Sequence, residues 1–349
     1  MTDNARTPDG TLMHAEAAEA AEVARRQDAE LAAPIRQLGE RLRTLDPHVV
    51  ITCARGSSDH AATFAKYLIE TRLRTPVASF APSTASIYGT AWRKLKGALF
   101  LAISQSGRSH DLLVSAADAR EAGAFVIAIV NDADSPLAGL ADLAIPMLAG
   151  EERSVAATKS FIASLLVIAR IVAEWAEDRE LSQALEQAPA LLERAWALDW
   201  SPGLPVLREA SNLYVLGRGL SLGIAQEAAL KLKETCGVQA EAYSGAEFRH
   251  GPITLVTPGY PVLLLAPTDQ AAAGMAKLAT DLAAKQAALY AAGLEDSRAV
   301  HLPVLPPEQA ENDAICLVQA FYGMMPRLAA LRGRNADSPR HLQKVTRTQ

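Results

Sequence analysis

Two kinds of hydrophobic pattern alternate along the chain. From about Met13 to Leu45 apolar residues recur at three- and four-residue steps, with Ala32, Ile35, Leu38 and Leu42 on one stripe; this predicts a helix, which Pro47 ends. The next run, residues 48–54, is short and apolar and is bounded by Gly56, so it predicts a buried strand. A helical pattern from Asp59 to Arg72 follows. The same grammar then repeats. Residues 98–103 predict a strand, Ser104-Gln105-Ser106-Gly107-Arg108-Ser109 a loop, and the stretch through Leu112 to Ala122 a helix. Residues 125–130 predict another strand, with a turn at Asn131-Asp132, and residues 143–147 a weaker fourth. A helical stretch from about Ser182 to Leu198 breaks at Trp200-Ser201-Pro202-Gly203. Beyond it come a strand at 213–216, a long helix to about Thr235 and a strand at 261–266. Strands alternating with helices of this length predict an α/β fold, with a parallel sheet covered on both faces.

The two halves also overlay. Cys53-Ala54-Arg55-Gly56-Ser57-Ser58 matches Leu216-Gly217-Arg218-Gly219-Leu220-Ser221, and each copy leads into an alanine-rich helix ending near Glu-Thr, at Glu70-Thr71 and Glu234-Thr235. The second copy has no serine loop; its matching strand end reads Ala266-Pro267-Thr268-Asp269. The expectation is two tandem, doubly wound, flavodoxin-like domains. Residues 1–45 form a lead-in and helix, 46–195 the first domain, 205–335 the second, and 336–349 a tail.

Composition narrows the function class. Half of the 349 residues are hydrophobic, 21 % are charged, and the net charge of −5 argues against a nucleic-acid partner while allowing a local basic pocket. Cys53, Cys236 and Cys316 are far apart and odd in number, which fits a reducing compartment and gives neither a disulfide framework nor zinc spacing. The N-terminus lacks the apolar segment of a signal peptide, and no run approaches ~18 uninterrupted apolar residues. A cytoplasmic protein with no membrane association is expected.

Several stretches carry candidate chemistry. The serine loop lies between a strand and a helix, where hydroxyls, a permissive glycine and a helix N-terminus make a phosphate cradle; simple helix capping by serine is the alternative. Gly56-Ser57-Ser58 occupies the same strand-to-helix position, and capped turn and ligand contact fit it equally. Ser154-Val155-Ala156-Ala157-Thr158-Lys159 follows the acidic pair Glu151-Glu152 and is open to either reading. Glu227, Lys231 and Glu234 share one helix side, as a surface salt-bridge set or as groups turned into a cleft. Residues 241–252 read as a loop dense in titratable groups, His250 among them, which can exchange a proton near neutral pH. By composition alone, residues 337–346 read as a frayed tail.

Taken in order, SQSG, SVAATKSF, EAALKLKE, EAYSGAEFRHGP and PRHLQKVT resemble the sugar isomerase (SIS) family, above all the isomerase half of glucosamine-6-phosphate synthases and the related stand-alone deaminases. The resemblance covers nearly everything from about residue 13 onward. It implies that Ser104, Gln105, Ser106 and Ser109 hold the phosphate, with Ser58 near the sugar hydroxyls and Val155 and Ala157 lining the sugar through their backbone. It further implies Glu234 as the base moving a proton between C1 and C2, and His250, from the neighbouring subunit of a homodimer, as the group opening the ring. Lys344 would form an imine with the open-chain ketose, Lys231 would be a second active-site lysine, and the tail would close over the site. No metal or organic cofactor is implied. Thr2, not cysteine, follows Met1, and too few residues precede the first strand for a glutaminase domain, so glutamine is not the expected nitrogen donor. Arg55 stands where the family usually has a small residue or cysteine. The implied reaction is glucosamine 6-phosphate plus water to fructose 6-phosphate plus ammonia. The alternatives are a related phosphosugar isomerase or deglycase, an aminotransferase-type enzyme, and a non-catalytic sugar-phosphate sensor.

Overall fold

The apolar runs that open each repeat are buried on both faces, as strands inside a parallel sheet must be. Every residue of β3 (Ala98–Ser104) and β4 (Phe125–Val130) is buried, and both lie in the middle of a sheet. The computed structural model describes residues 8–294 and 298–344. The chain divides into two compact units.

The first unit holds Glu22–Glu152, Ser160–Gln187 and the tail residues Gln343 and Lys344. Its sheet has the order β2-β1-β3-β4-β5, all parallel, with β1 (Val49–Cys53), β2 (Val77–Ser79) and β5 (Leu143–Pro146) beside the two central strands. The helices are α2 (Ala20–Leu45), α3 (Ser57–Arg72), α4 (Ser83–Ser86), α5 (His110–Glu121), α6 (Pro136–Leu140), α7 (Lys159–Ala176) and α8 (Arg179–Leu185). Gln27, fully buried on α2, donates to the carbonyls of Met147 and Ala163, tying that helix to the end of β5 and to α7.

The second unit holds residues 8–21, Arg153–Lys159 and Ala188–Leu342, apart from 295–297. Its sheet runs β10-β9-β8-β6-β7, again parallel throughout: β6 (Asn212–Gly217), β7 (Gln239–Ser244), β8 (Pro261–Leu265), β9 (Ala288–Ala292) and β10 (Val300–Leu302). Its helices are α1 (Leu12–Ala18), α9 (Ala188–Trp196), α10 (Leu204–Glu209), α11 (Leu220–Cys236), α12 (Ala272–Ala284) and α13 (Ala310–Leu331). By length and composition α13 could cross a membrane, but 78 % of its apolar window is buried inside the protein.

The helix expected from about Ser182 to Leu198 is two, α8 and α9, and other sequence expectations also need correction. The helix predicted from Met13 to Leu45 is two helices broken at Glu19; within α2, Ile35, Leu38 and Leu42 are buried but Ala32 is exposed. Residues 241–244, expected as part of a loop, belong to β7 at the sheet edge, where polar residues are tolerated because one side of the strand meets solvent. Strands β2, β9 and β10 had no sequence signal; each lies at or next to an edge and is short.

The repeat is closest at the turn that opens α3 and α11. Gly56 has φ 57° and ψ −132°, and Gly219 has φ 60° and ψ −132°, a conformation that L side chains rarely adopt. What stands opposite differs: a Cβ on Gly219 would lie 3.5 Å from a carboxylate oxygen of Asp269, whereas one on Gly56 would meet nothing within 4 Å. A carboxylate beside the Gly219 turn makes that turn less hospitable to an anion than its counterpart at Gly56. Because no backbone crowds a Cβ at either glycine, Gly56→Ala and Gly219→Ala are each expected to destabilise by backbone strain alone, by about 1–3 kcal/mol, as measured by thermal unfolding.

Candidate functional site

In an open parallel sheet, ligands sit beyond the carboxyl ends of the strands, at the point where the strand order reverses. In the first unit that point lies between β1 and β3, which pair through Cys53 and Ala102. Ser58 follows β1, Ser104 ends β3, and Gln105, Ser106 and Ser109 follow it, so the topology gathers all five at one edge. The loop is held open by its own backbone. Gly107, at φ 61°, donates its N–H to Ser104 Oγ at 3.1 Å, and Arg108 donates its N–H to Ser106 Oγ at 3.4 Å. The carbonyl of Gln105 accepts from Asn131 and that of Gly107 from Leu137. A Cβ on Gly107 would fall 2.2 Å from Ser135 Oγ, so only glycine fits. Ser109 is the N-cap of α5 yet makes no side-chain capping hydrogen bond, so capping does not account for that serine. Arg108, at the rim, pairs with Asp132 at 2.7 Å, and that bond holds the Asp132 carboxyl below its ordinary range.

Lys344 of the tail belongs to the same unit. Its Nζ lies 2.9 Å from a carboxylate oxygen of Glu152, whose side chain is fully buried and also accepts from the Ser160 backbone and hydroxyl. Sequence reading placed no role on Glu152.

The second unit carries Glu234, Lys231, His250, Val155 and Ala157. On α11 the three charges at i, i+4 and i+7 are not a surface set. Lys231 is 1 % exposed, lies 3.2 Å from Glu227 Oε1 and donates to Glu234 Oε2 at 2.6 Å; Glu227 is fully buried and accepts from Tyr322 Oη of α13 at 2.9 Å. Desolvation pulls down hardest on the Lys231 pKa, but Glu227 and Glu234 together outweigh it, so the ammonium titrates above the usual lysine value. Glu234, with 18 % of its side chain exposed, is the end of this chain of charges that meets solvent.

His250 stands exposed at the end of a single 3-10 turn, Glu247–His250. Phe248, fully buried two residues before it, anchors the turn against Tyr214 with ring centroids 5.0 Å apart, and Arg249 pairs with Asp281. Val155 and Ala157 are half-buried and alternate with buried Ser154, Ala156 and Thr158. Their segment is shaped by α1. The buried Glu16 carboxylate accepts the N–H groups of Arg153 and Ser154, and Glu19 pairs with buried Lys159 at 2.7 Å. Asp337 caps α1 from the tail, accepting from Leu12 and Met13, while its carbonyl accepts from Val155 at 3.3 Å. Glu16, Glu19 and Asp337 escaped the sequence reading because their partners lie more than a hundred positions away.

Burial raises the Cys53 and Cys316 thiols to about 12 and the Cys236 thiol to about 11, so none offers a thiolate near neutral pH. Among the described residues no group of three or more His, Cys, Asp or Glu side chains is placed to hold a metal ion. Removing one partner from the α11 cluster strands a buried charge. Glu227→Ala is expected to cost about 3–5 kcal/mol of stability, and Tyr322→Phe only about 1 kcal/mol, both measured by urea unfolding.

The comparisons with known proteins agree with this architecture. The model of the SIS domain matches residues 45–173 and 206–293. A glutamine–fructose-6-phosphate aminotransferase [isomerizing] of Sulfurisphaera tokodaii is 34 % identical over 304 residues, covering 85 % of this chain and 49 % of the relative. The chain thus spans about half the length of the curated relatives it matches. A crystal structure from Silicibacter pomeroyi DSS-3, described as a phosphosugar isomerase, superimposes with a TM-score of 0.87 at 42 % identity, covering 94 % of this chain and all of that one. The glucosamine-6-phosphate deaminase of Thermotoga maritima shares the fold, with a TM-score of 0.71 at 20 % identity over 95 % of this chain and 100 % of its own. The matched segments take in more than half of the chain, all of the first sheet and four strands of the second, so this protein belongs to the SIS-domain family.

Proposed function

We propose that the protein deaminates an amino-sugar phosphate, converting glucosamine 6-phosphate and water to fructose 6-phosphate and ammonia. The observation that carries the reading is the α11 cluster, a solvent-reaching carboxylate, Glu234, wired through a buried ammonium to a second carboxylate. Such a carboxylate can take and return a proton without losing its hydrogen-bond partner.

In this reading the phosphate sits in the serine loop at the N-terminus of α5, a remote anchor that fixes the reacting carbons. The protein acts as a homodimer, and the partner subunit's His250 moves a proton from the O1 hydroxyl to the ring oxygen as the C1–O5 bond breaks. The exposed placement of His250 supports its use outside its own unit. Glu234 then removes the C2 proton of the open-chain aldehyde and returns it to C1, while O1 takes up a proton. The C2 amine thereby becomes an imine. Lys344 adds to that imine and displaces ammonia, and water releases the ketose. An amine attacks only when neutral, and Glu152, 2.9 Å from Lys344, stands where it can take the lysine's proton.

The aminotransferase relatives favour a second reading, amination of fructose 6-phosphate in the reverse direction. Assaying ammonia release from glucosamine 6-phosphate, and its consumption with fructose 6-phosphate, separates the two. Glu234→Gln is expected to lower turnover by about 10²–10⁴-fold while glucosamine 6-phosphate still binds. Purified protein that releases no ammonia from this substrate would sink the deaminase reading.

A further inference from the structure

Asp111 is oddly placed for a phosphate site. It lies in the first turn of α5, two residues beyond Ser109, and its carboxylate is 4 % exposed. An acid there stabilises the helix by occupying the positive end of its dipole, which is the end that a phosphate on the serine loop would use. Left alone, this buried carboxylate would repel a phosphate dianion with little screening from water.

The structure supplies the counter-charge from the neighbouring strand. Arg55, which follows β1, places Nε and Nη2 each 2.8 Å from Asp111 Oδ2, while the Leu112 N–H donates to Oδ1 at 3.0 Å. Asp59, in the first turn of α3, feels the same guanidinium. The other cation at the loop, Arg108, pairs with Asp132, which is 38 % exposed, so its field is spent largely in solvent.

We propose that Arg55 is a positioning residue of the phosphate site: it acts through Asp111, cancelling that carboxylate so that the N-terminal turn of α5 can accept a phosphate dianion. The inference rests on the reading that the serine loop holds the phosphate of the substrate, and it adds that the loop's anion affinity is set by a residue of the adjacent strand's turn. Arg55 need not touch the ligand.

Isothermal titration with glucosamine 6-phosphate, and separately with inorganic phosphate, tests this without requiring turnover. Arg55→Met is expected to weaken both ligands in parallel, at least tenfold, or ~1.4 kcal/mol. Asp111→Asn should bind at least as tightly as the wild type. The double variant R55M/D111N should return to within about threefold of it, which also guards against simple misfolding of the single variant. Unchanged binding in R55M overturns the proposal. So does a double variant as weak as R55M, because Arg55 would then act on the phosphate or the loop directly. A wild type that binds glucosamine 6-phosphate without releasing ammonia removes the deamination reading and leaves Arg55 to be judged by these variants. A wild type that binds neither ligand removes both, as does binding that survives Ser104→Ala with Ser106→Ala.

Discussion

Parallel pairing is the constraint from which the rest follows. When every strand of a sheet points the same way, every turn that follows a strand lies on one edge, and polar groups accumulate there while the strands stay apolar. The first unit uses that edge for hydroxyls, at Ser58 and along Ser104 to Ser109. The second unit keeps the same glycine turn but sets Asp269 against it. One backbone device thus sits in two different electrostatic settings, and side chains at the strand ends decide which.

Buried charge is handled alike in several places: each ion is given a set of close partners. Lys231 sits between Glu227 and Glu234, Asp111 between Arg55 and a backbone N–H, and Glu16 between two backbone N–H groups. Such arrangements do little for net stability compared with well-packed apolar side chains, because desolvation consumes most of the Coulomb gain. Their effect is to fix geometry, since any departure strands a charge. Exposed pairs such as Arg249–Asp281 lack that property and tolerate movement.

Much of this was legible in the sequence, for reasons that can be named. The central strands announced themselves because burial on both faces requires a continuous apolar run, and the glycine turns because their conformation leaves a fixed residue type at a fixed offset. Strands β7 and β10 left no such trace, since edge strands can be polar and short. The helical spacing of Glu227, Lys231 and Glu234 was visible, but their burial was not: it depends on Tyr322 and α13, nearly a hundred residues away. The break at Glu19 was hidden because Glu16 and Glu19 look like a solvated helix face until Arg153, Ser154 and Lys159 arrive to use them. Periodicity records which side of an element is wet, and says nothing of which distant segment covers it.

The contact between Lys344 and Glu152 makes the tail a structural counter-ion. The Glu152 side chain has no exposed surface, and the ammonium beside it comes from the tail. A Lys344→Met variant would lose that ammonium. It would carry a solvent-excluded carboxylate stripped of its ammonium, and the first turn of α7, where Ser160 donates to that carboxylate, would register the change.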